Sequence, residues 1–233
     1  MCVIIYKPAA VMLSLKDLQQ AYAHNADGVG IAVRVPGKIH VKKHVWTLAE
    51  FLTEWQAVAD QEVLLHFRYA TLGTVNAANC HPFVVGPLVV AHNGHIKGYG
   101  TKTISDTRQW CEKWLAPLVR KRWTTTGIAS AIHTEFPTQR FALLPVHGEP
   151  QLIGGAWHNG AWYSNRDFAY SPWESRHYGT SGEGQTATDL YDRIADVIDM
   201  MNIGDLGYRE LVDTLKYLEK HLDGEGDWYD NNL

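Results

Sequence analysis

Four features of this sequence could do chemistry together: Cys2, Arg68, the pair Asn93-Gly94, and Asp106. With Met1 removed, Cys2 carries a thiol and a free α-amine on one carbon, a nucleophile and a base within reach of each other. An α-amine titrates at a pKa of about 7.7–8.0, so an appreciable fraction is neutral near pH 7 and able to accept a proton. Arg68 could hold a carboxylate and Asp106 an ammonium, the two charged ends of a free amino acid. The Asn93 amide and the Gly94 N–H could stabilise the oxyanion that forms during acyl transfer from an amide. Glycine lets the backbone present that N–H at close range.

Each feature also has an ordinary reading. Cys2 alone is a small apolar residue in a strand. Arg68 alone is a strand-end arginine in a local salt bridge, Asp106 an N-cap, and Asn93-Gly94 a turn. Only their combination favours the chemistry. A zinc site built from Cys80, His81, His92 and His95 is a rival, but their spacing fits no standard zinc pattern and no metal is expected.

The elements that must position these groups are legible in outline. Val3-Ile4-Ile5-Tyr6 reads as a buried strand that fixes Cys2 in place. Ser14 to Asp17 forms a capping box for a helix to about His24, and Asn25 to Gly30 is a turn into the strand Ile31-Ala32-Val33. Thr47 to Glu50 is a second capping box, with Leu48, Phe51, Leu52, Trp55 and Val58 on one helical face. Val63-Leu64-Leu65 is a strand delivering Arg68. Phe83 to Ala91 is a strand pair broken at Gly86-Pro87, and it delivers Asn93. Ser105-Asp106 starts a helix whose stripe is Trp110, Trp114, Leu115 and Leu118. A helix near 126–136 and strands at 140–144, 152–157 and 161–164 follow, with Asn159-Gly160 as a hairpin turn. Residues 169–185 read as a loop. Two helices, at about 186–201 and 205–222, form a C-terminal helical extension. The order suits an α+β protein with antiparallel sheets between helical layers.

The chain has 233 residues, is 45% apolar, and carries a net charge of −4 with a pI near 6.3. No basic stripe is present, so a nucleic-acid partner is not expected. Three cysteines without a CxxC pair fit a reducing compartment. No targeting segment or apolar span is visible, so no membrane partner and a soluble cytoplasmic protein are expected. No Gly-Lys-Ser/Thr phosphate loop appears, and no cofactor is expected.

The chain resembles the class II, N-terminal-nucleophile glutamine amidotransferases. The resemblance rests on Met1-Cys2, Asp27 to Ile31, His66 to Gly73, Asn79 to Phe83, His92-Asn93-Gly94 and Ser105-Asp106-Thr107, which occur in the family's order. Ser164-Asn165, after Trp162-Tyr163, resembles a segment of stand-alone members. The resemblance implies a four-layer αββα N-terminal-nucleophile (Ntn) hydrolase sandwich, with the glutaminase domain over 2–168 and the helical extension over 186–222. It implies Cys2 as nucleophile, Asn93 and Gly94 as oxyanion donors, and Arg68 and Asp106 on the substrate's carboxylate and ammonium. Thr71 and His81 match positions lining the pocket. Glutamine is the implied substrate, and a separate ammonia-accepting synthetase the implied partner. Hydrolysis of another γ-glutamyl amide, or an inactive binding module, stays open as an alternative. Val3 stands where the family usually has glycine, and Leu72 where several members have a polar residue. Only 12 residues separate Asn93 from Asp106, which implies a short lid.

Overall fold

The computed structural model describes residues 1–169, and the expected extension over 186–222 lies outside the described residues. Strands β1 (Val3–Lys7), β2 (Val29–Val35), β3 (Lys38–His44), β4 (Glu62–Phe67), β9 (Ala156–His158) and β10 (Ala161–Tyr163) make one sheet, in the order β3-β2-β4-β1-β10-β9. Strands β5 (Phe83–Val85), β6 (Leu88–Asn93), β7 (Arg140–Pro145) and β8 (Gln151–Ile153) make a second, in chain order. All the pairings in both sheets are antiparallel.

Alternation of side chains along each strand sets the layers. Val3 and Ile5 of β1, with Val63, Leu65 and Phe67 of β4, pack under helices α1 (Leu15–His24) and α2 (Leu48–Gln56) through Leu18, Phe51 and Trp55. Ile4, Tyr6 and Leu64 point the other way, against Val89, Ala91, Ala142 and Leu144 of the second sheet. The outer face of that sheet, with Val90, Phe141 and Leu143, is covered by Trp110, Leu115, Ile128 and Ile132. These four come from a helical stretch, α3 (Asp106–Trp110), a π turn (Cys111–Leu115) and α4 (Ala116–Arg120), and from α5 (Thr125–Glu135). Helix, sheet, sheet and helix form the αββα sandwich. Because β1, β4, β6 and β7 are covered on both faces, they read in sequence as largely apolar runs rather than alternating ones.

The Thr47 capping box is complete, whereas at Ser14 only the hydroxyl bond to the Asp17 N–H forms. The Asp17 carboxylate turns instead to the Tyr163 hydroxyl at 3.2 Å and to Arg166 at 3.6 Å. The expected strand over 152–157 is two strands: β8 pairs with β7 in one sheet and β9 with β10 in the other, with the chain crossing at Gly154-Gly155. Sequence reading missed β3, a sheet edge of alternating exposure rich in Lys and His. The Asn159-Gly160 hairpin forms, with both residues at positive φ. Among the described residues no helix is long and apolar enough to cross a membrane.

Candidate active site

Cys2 immediately precedes β1, which lies between β4 and β10, so its position is set from both sides. Its sulfur accepts the Tyr69 N–H at 3.3 Å and lies 3.4 Å from the Tyr69 carbonyl. The Cys2 carbonyl accepts from Asn165 Nδ2 at 2.8 Å. Burial pushes the thiol pKa up from its ordinary 9.0. The Tyr69 backbone bond, the amino-terminal charge and Arg68 pull it back, while Asp106 adds to the rise. Near pH 7 the sulfur is therefore a protonated thiol that needs a proton acceptor before it can attack. Met1 is 65% exposed, and Cys2 itself is partly buried.

Six of the seven expected site residues, Cys2, Arg68, Thr71, His81, Gly94 and Asp106, line one small cavity of about 20 Å³. That is room for about one water. Tyr69, Leu72, Asn79, His92, Ser105 and Thr107 complete its wall. Asn93 is not part of that wall. It is buried, and its amide donates to Ser164 Oγ at 3.0 Å. The same hydroxyl accepts the Ile4 N–H at 2.9 Å, tying the Asn93-Gly94 turn to the strand that follows Cys2.

Arg68 sits where β4 ends, and only 3% of it is exposed. No carboxylate pairs with it among the described residues; it donates to the carbonyls of Thr74 at 3.0 Å, Leu72 at 3.0 Å and Gly73 at 3.4 Å. Three of its five donor hydrogens thus hold the 72–74 loop, which leaves capacity for a ligand. Asp27 braces the same segment by accepting the Ala70 N–H at 2.8 Å. Ser105, not Asp106, caps α3 with its hydroxyl. The Asp106 carboxylate accepts the backbone N–H groups of Ile96 at 2.8 Å and Thr107 at 2.7 Å, and lies 3.3 Å from His95 Nδ1 at the surface. Asn79 pins this helix start to the loop: its oxygen accepts the Ser105 N–H at 3.1 Å and its amide donates to Thr103 O at 2.8 Å.

A buried group of imidazoles floors the site. His81 Nδ1 lies 2.7 Å from His66 Nε2, and the His81 and His92 rings are 6.3 Å apart. Burial lowers the pKa of His66 to about 3, of His92 to about 4 and of His81 well below 6.5, so all three are neutral near pH 7. The four residues of the zinc alternative take separate partners. Cys80 turns to Asn76 O at 3.2 Å, His81 to His66, His92 to Thr107 and Gln139, and His95 to Asp106. Among the described residues no cluster of three His, Cys, Asp or Glu is arranged to hold a metal.

Sequence reading passed over Tyr69 and Gln139. Tyr69 lies inside the His66 to Gly73 stretch and meets the thiol through its backbone, whereas Gln139 lies in no motif and reaches His92 and His95 through the β6–β7 register. A larger cavity of about 650 Å³ is lined by Gln139, Ser164, Asn165, Arg140 and Arg166. None of its lining residues is a cysteine, whereas Cys2 lines the smaller one.

Residues 1–110 match the model of the family described as class-II glutamine amidotransferases. No curated protein matches the chain. Among solved structures, the chain is similar to glutamine phosphoribosylpyrophosphate (PRPP) amidotransferase from B. subtilis complexed with ADP and GMP, at 18% identity and a TM-score of 0.48. That alignment covers 70% of this chain and 41% of the other, so the chain spans less than half of that protein's length. A glutamine aminotransferase class-II domain protein from Silicibacter pomeroyi is similar at 15% identity and a TM-score of 0.37, over 70% of this chain and 87% of that one.

Proposed function

We propose that residues 2–168 of this chain, whose stretch 1–110 carries the class-II glutamine amidotransferase pattern, form a Cys2-dependent glutaminase that supplies ammonia to a separate acceptor enzyme. The observation that carries this reading is the meeting of one thiol, one guanidinium and one carboxylate in a single cavity. The charges of Arg68 and Asp106 are near enough to bear on the Cys2 sulfur.

In this reading, removal of Met1 frees the Cys2 amine, which takes the thiol proton as the sulfur attacks the side-chain carbonyl of glutamine. The C–S bond forms and the carbonyl becomes an oxyanion, stabilised by the Gly94 N–H and the Asn93 amide. The ammonium at Cys2 then returns its proton to the departing nitrogen, and ammonia leaves behind a γ-glutamyl thioester. Water, deprotonated by the same amine, cleaves the thioester to glutamate and the free thiol. Arg68 holds the α-carboxylate, Asp106 the α-ammonium, and Thr71 and His81 shape the wall. Because the cavity is smaller than glutamine, binding opens the loop that carries Tyr69 and Leu72 and displaces His95 from Asp106.

The test is a glutaminase assay beside intact-mass measurement. The expected result is a mass lacking Met1, glutamate released from glutamine, and no turnover by Cys2→Ala. Equal turnover by Cys2→Ala would overturn the mechanism.

A further inference from the structure

We infer that Gln139 is the positioning residue for the oxyanion turn, holding Gly94 through its side-chain amide oxygen. The inference for turnover rests on the glutaminase reading, while the geometry stands by itself.

The placement follows from register. β6 and β7 pair antiparallel up to Asn93 opposite Arg140, so the next step sets Gly94 opposite Gln139. Gln139 Oε1 accepts the His95 N–H at 2.9 Å and lies 3.2 Å from His92 Nε2. A Cβ built on residue 94 would fall 1.6 Å from that same oxygen. One atom therefore touches the residue before Asn93, the residue after Gly94, and the space that Gly94 leaves open. Gly94 itself has φ +148°, which L side chains rarely adopt, so the turn is held from outside rather than by its own preference.

These contacts also fix the proton positions. A backbone N–H can only donate, so the atom facing His95 N must be the Gln139 oxygen and not its nitrogen. That oxygen then requires a proton on His92 Nε2, which leaves His92 Nδ1 to accept from the Thr107 hydroxyl at 2.8 Å, a closer acceptor than the Asp106 oxygen 3.3 Å away. The neighbouring Asp106 carboxylate keeps the Thr107 N–H at 2.7 Å. Gln139, His92, Thr107 and Asp106 thus form one hydrogen-bonded line from the oxyanion turn to the carboxylate assigned to the substrate ammonium. His92 is neutral in this arrangement, in keeping with its burial.

The experiment compares Gln139→Met, which removes the acceptor, with Gln139→Glu, which keeps one. Steady-state kinetics, backbone amide exchange at His95 and the ¹⁵N signature of the His92 ring are read on each. For Gln139→Met we expect kcat to fall by about tenfold or more with KM changed by less than about threefold, since the loss falls on the transition state. His95 exchange should quicken by about tenfold. Gln139→Glu should keep His95 protected, restore most of kcat, and raise the pH at which His92 takes up a second proton. Wild-type kcat and wild-type His95 exchange in Gln139→Met would overturn the inference, as would a Gln139→Glu variant as impaired as Gln139→Met. If the wild-type chain does not release glutamate from glutamine, the glutaminase reading fails. The exchange and ring measurements then still decide whether Gln139 holds the turn.

Discussion

The amide of Asn93 donates to Ser164 Oγ at 3.0 Å, across 71 residues of chain. The same hydroxyl takes the buried Ile4 N–H at 2.9 Å, so Ser164→Ala strands two donors at once. A buried donor left without its partner costs about 1–3 kcal/mol, and we expect destabilisation in that range by urea denaturation. Turnover should fall as well, because Asn93 loses its orientation. A Ser164→Ala protein with unchanged midpoint and unchanged kcat would show that the hydroxyl holds nothing.

Arg68 serves the loop and, in the proposed function, the substrate. Arg68→Lys keeps a positive charge but loses the planar fork that spans the Leu72, Gly73 and Thr74 carbonyls. We expect KM for glutamine to rise by about tenfold or more, from loss of a charge-assisted paired contact. Kinetics giving a wild-type KM would remove Arg68 from the carboxylate role.

Gly94→Ala meets two obstacles, a positive φ and the Gln139 oxygen 1.6 Å from the new Cβ. The turn must shift, and loss of a well-placed oxyanion donor typically costs about 10²-fold in kcat. The strained backbone should also cost about 1–3 kcal/mol of stability. Glutamate release and thermal unfolding of the same preparation check both.

His66, His81 and His92 tie stability to pH. Their folded pKa values lie below the ordinary 6.5, at about 3 for His66, about 4 for His92 and well below 6.5 for His81. Between those values and 6.5 the unfolded chain binds more protons than the folded one, so stability rises with pH. The contribution is complete above about pH 6.5 and is lost as the pH falls from there through about 4 and about 3. Each group adds a slope of up to about 1.4 kcal/mol per pH unit. Urea midpoints at pH 7 and pH 5, a window above most carboxylate titration, should show a marked loss at pH 5; equal midpoints would contradict the buried neutral trio.

What the sequence disclosed depended on how the information is stored. β1, β4, β6 and β7 could be read because both faces are buried and each carries a run of at least three consecutive apolar residues. β3 could not, since its Lys and His side chains face water and only pairing to β2 makes it a strand. The split between β8 and β9 was hidden too, because the neighbours that pull Ile153 and Trp157 into different sheets are far away in sequence. The same holds at the site. Cys2, Arg68, Gly94 and Asp106 could be picked out by chemical type and by family pattern. Gln139 lies in an unremarkable Pro-Thr-Gln-Arg turn, and only the β6–β7 register gives it meaning. Asn93 stands out in the sequence by type and pattern, but its bond to Ser164 is a tertiary fact.

The place of β1 between β4 and β10 has a consequence for biosynthesis. During translation the first strand gains its β4 neighbour early but lacks its second until Tyr163 has been added. The Cys2 thiol gains both flanking strands only once residue 163 has been added. A fragment ending before β10 carries Cys2 without one of the two strands that seat it.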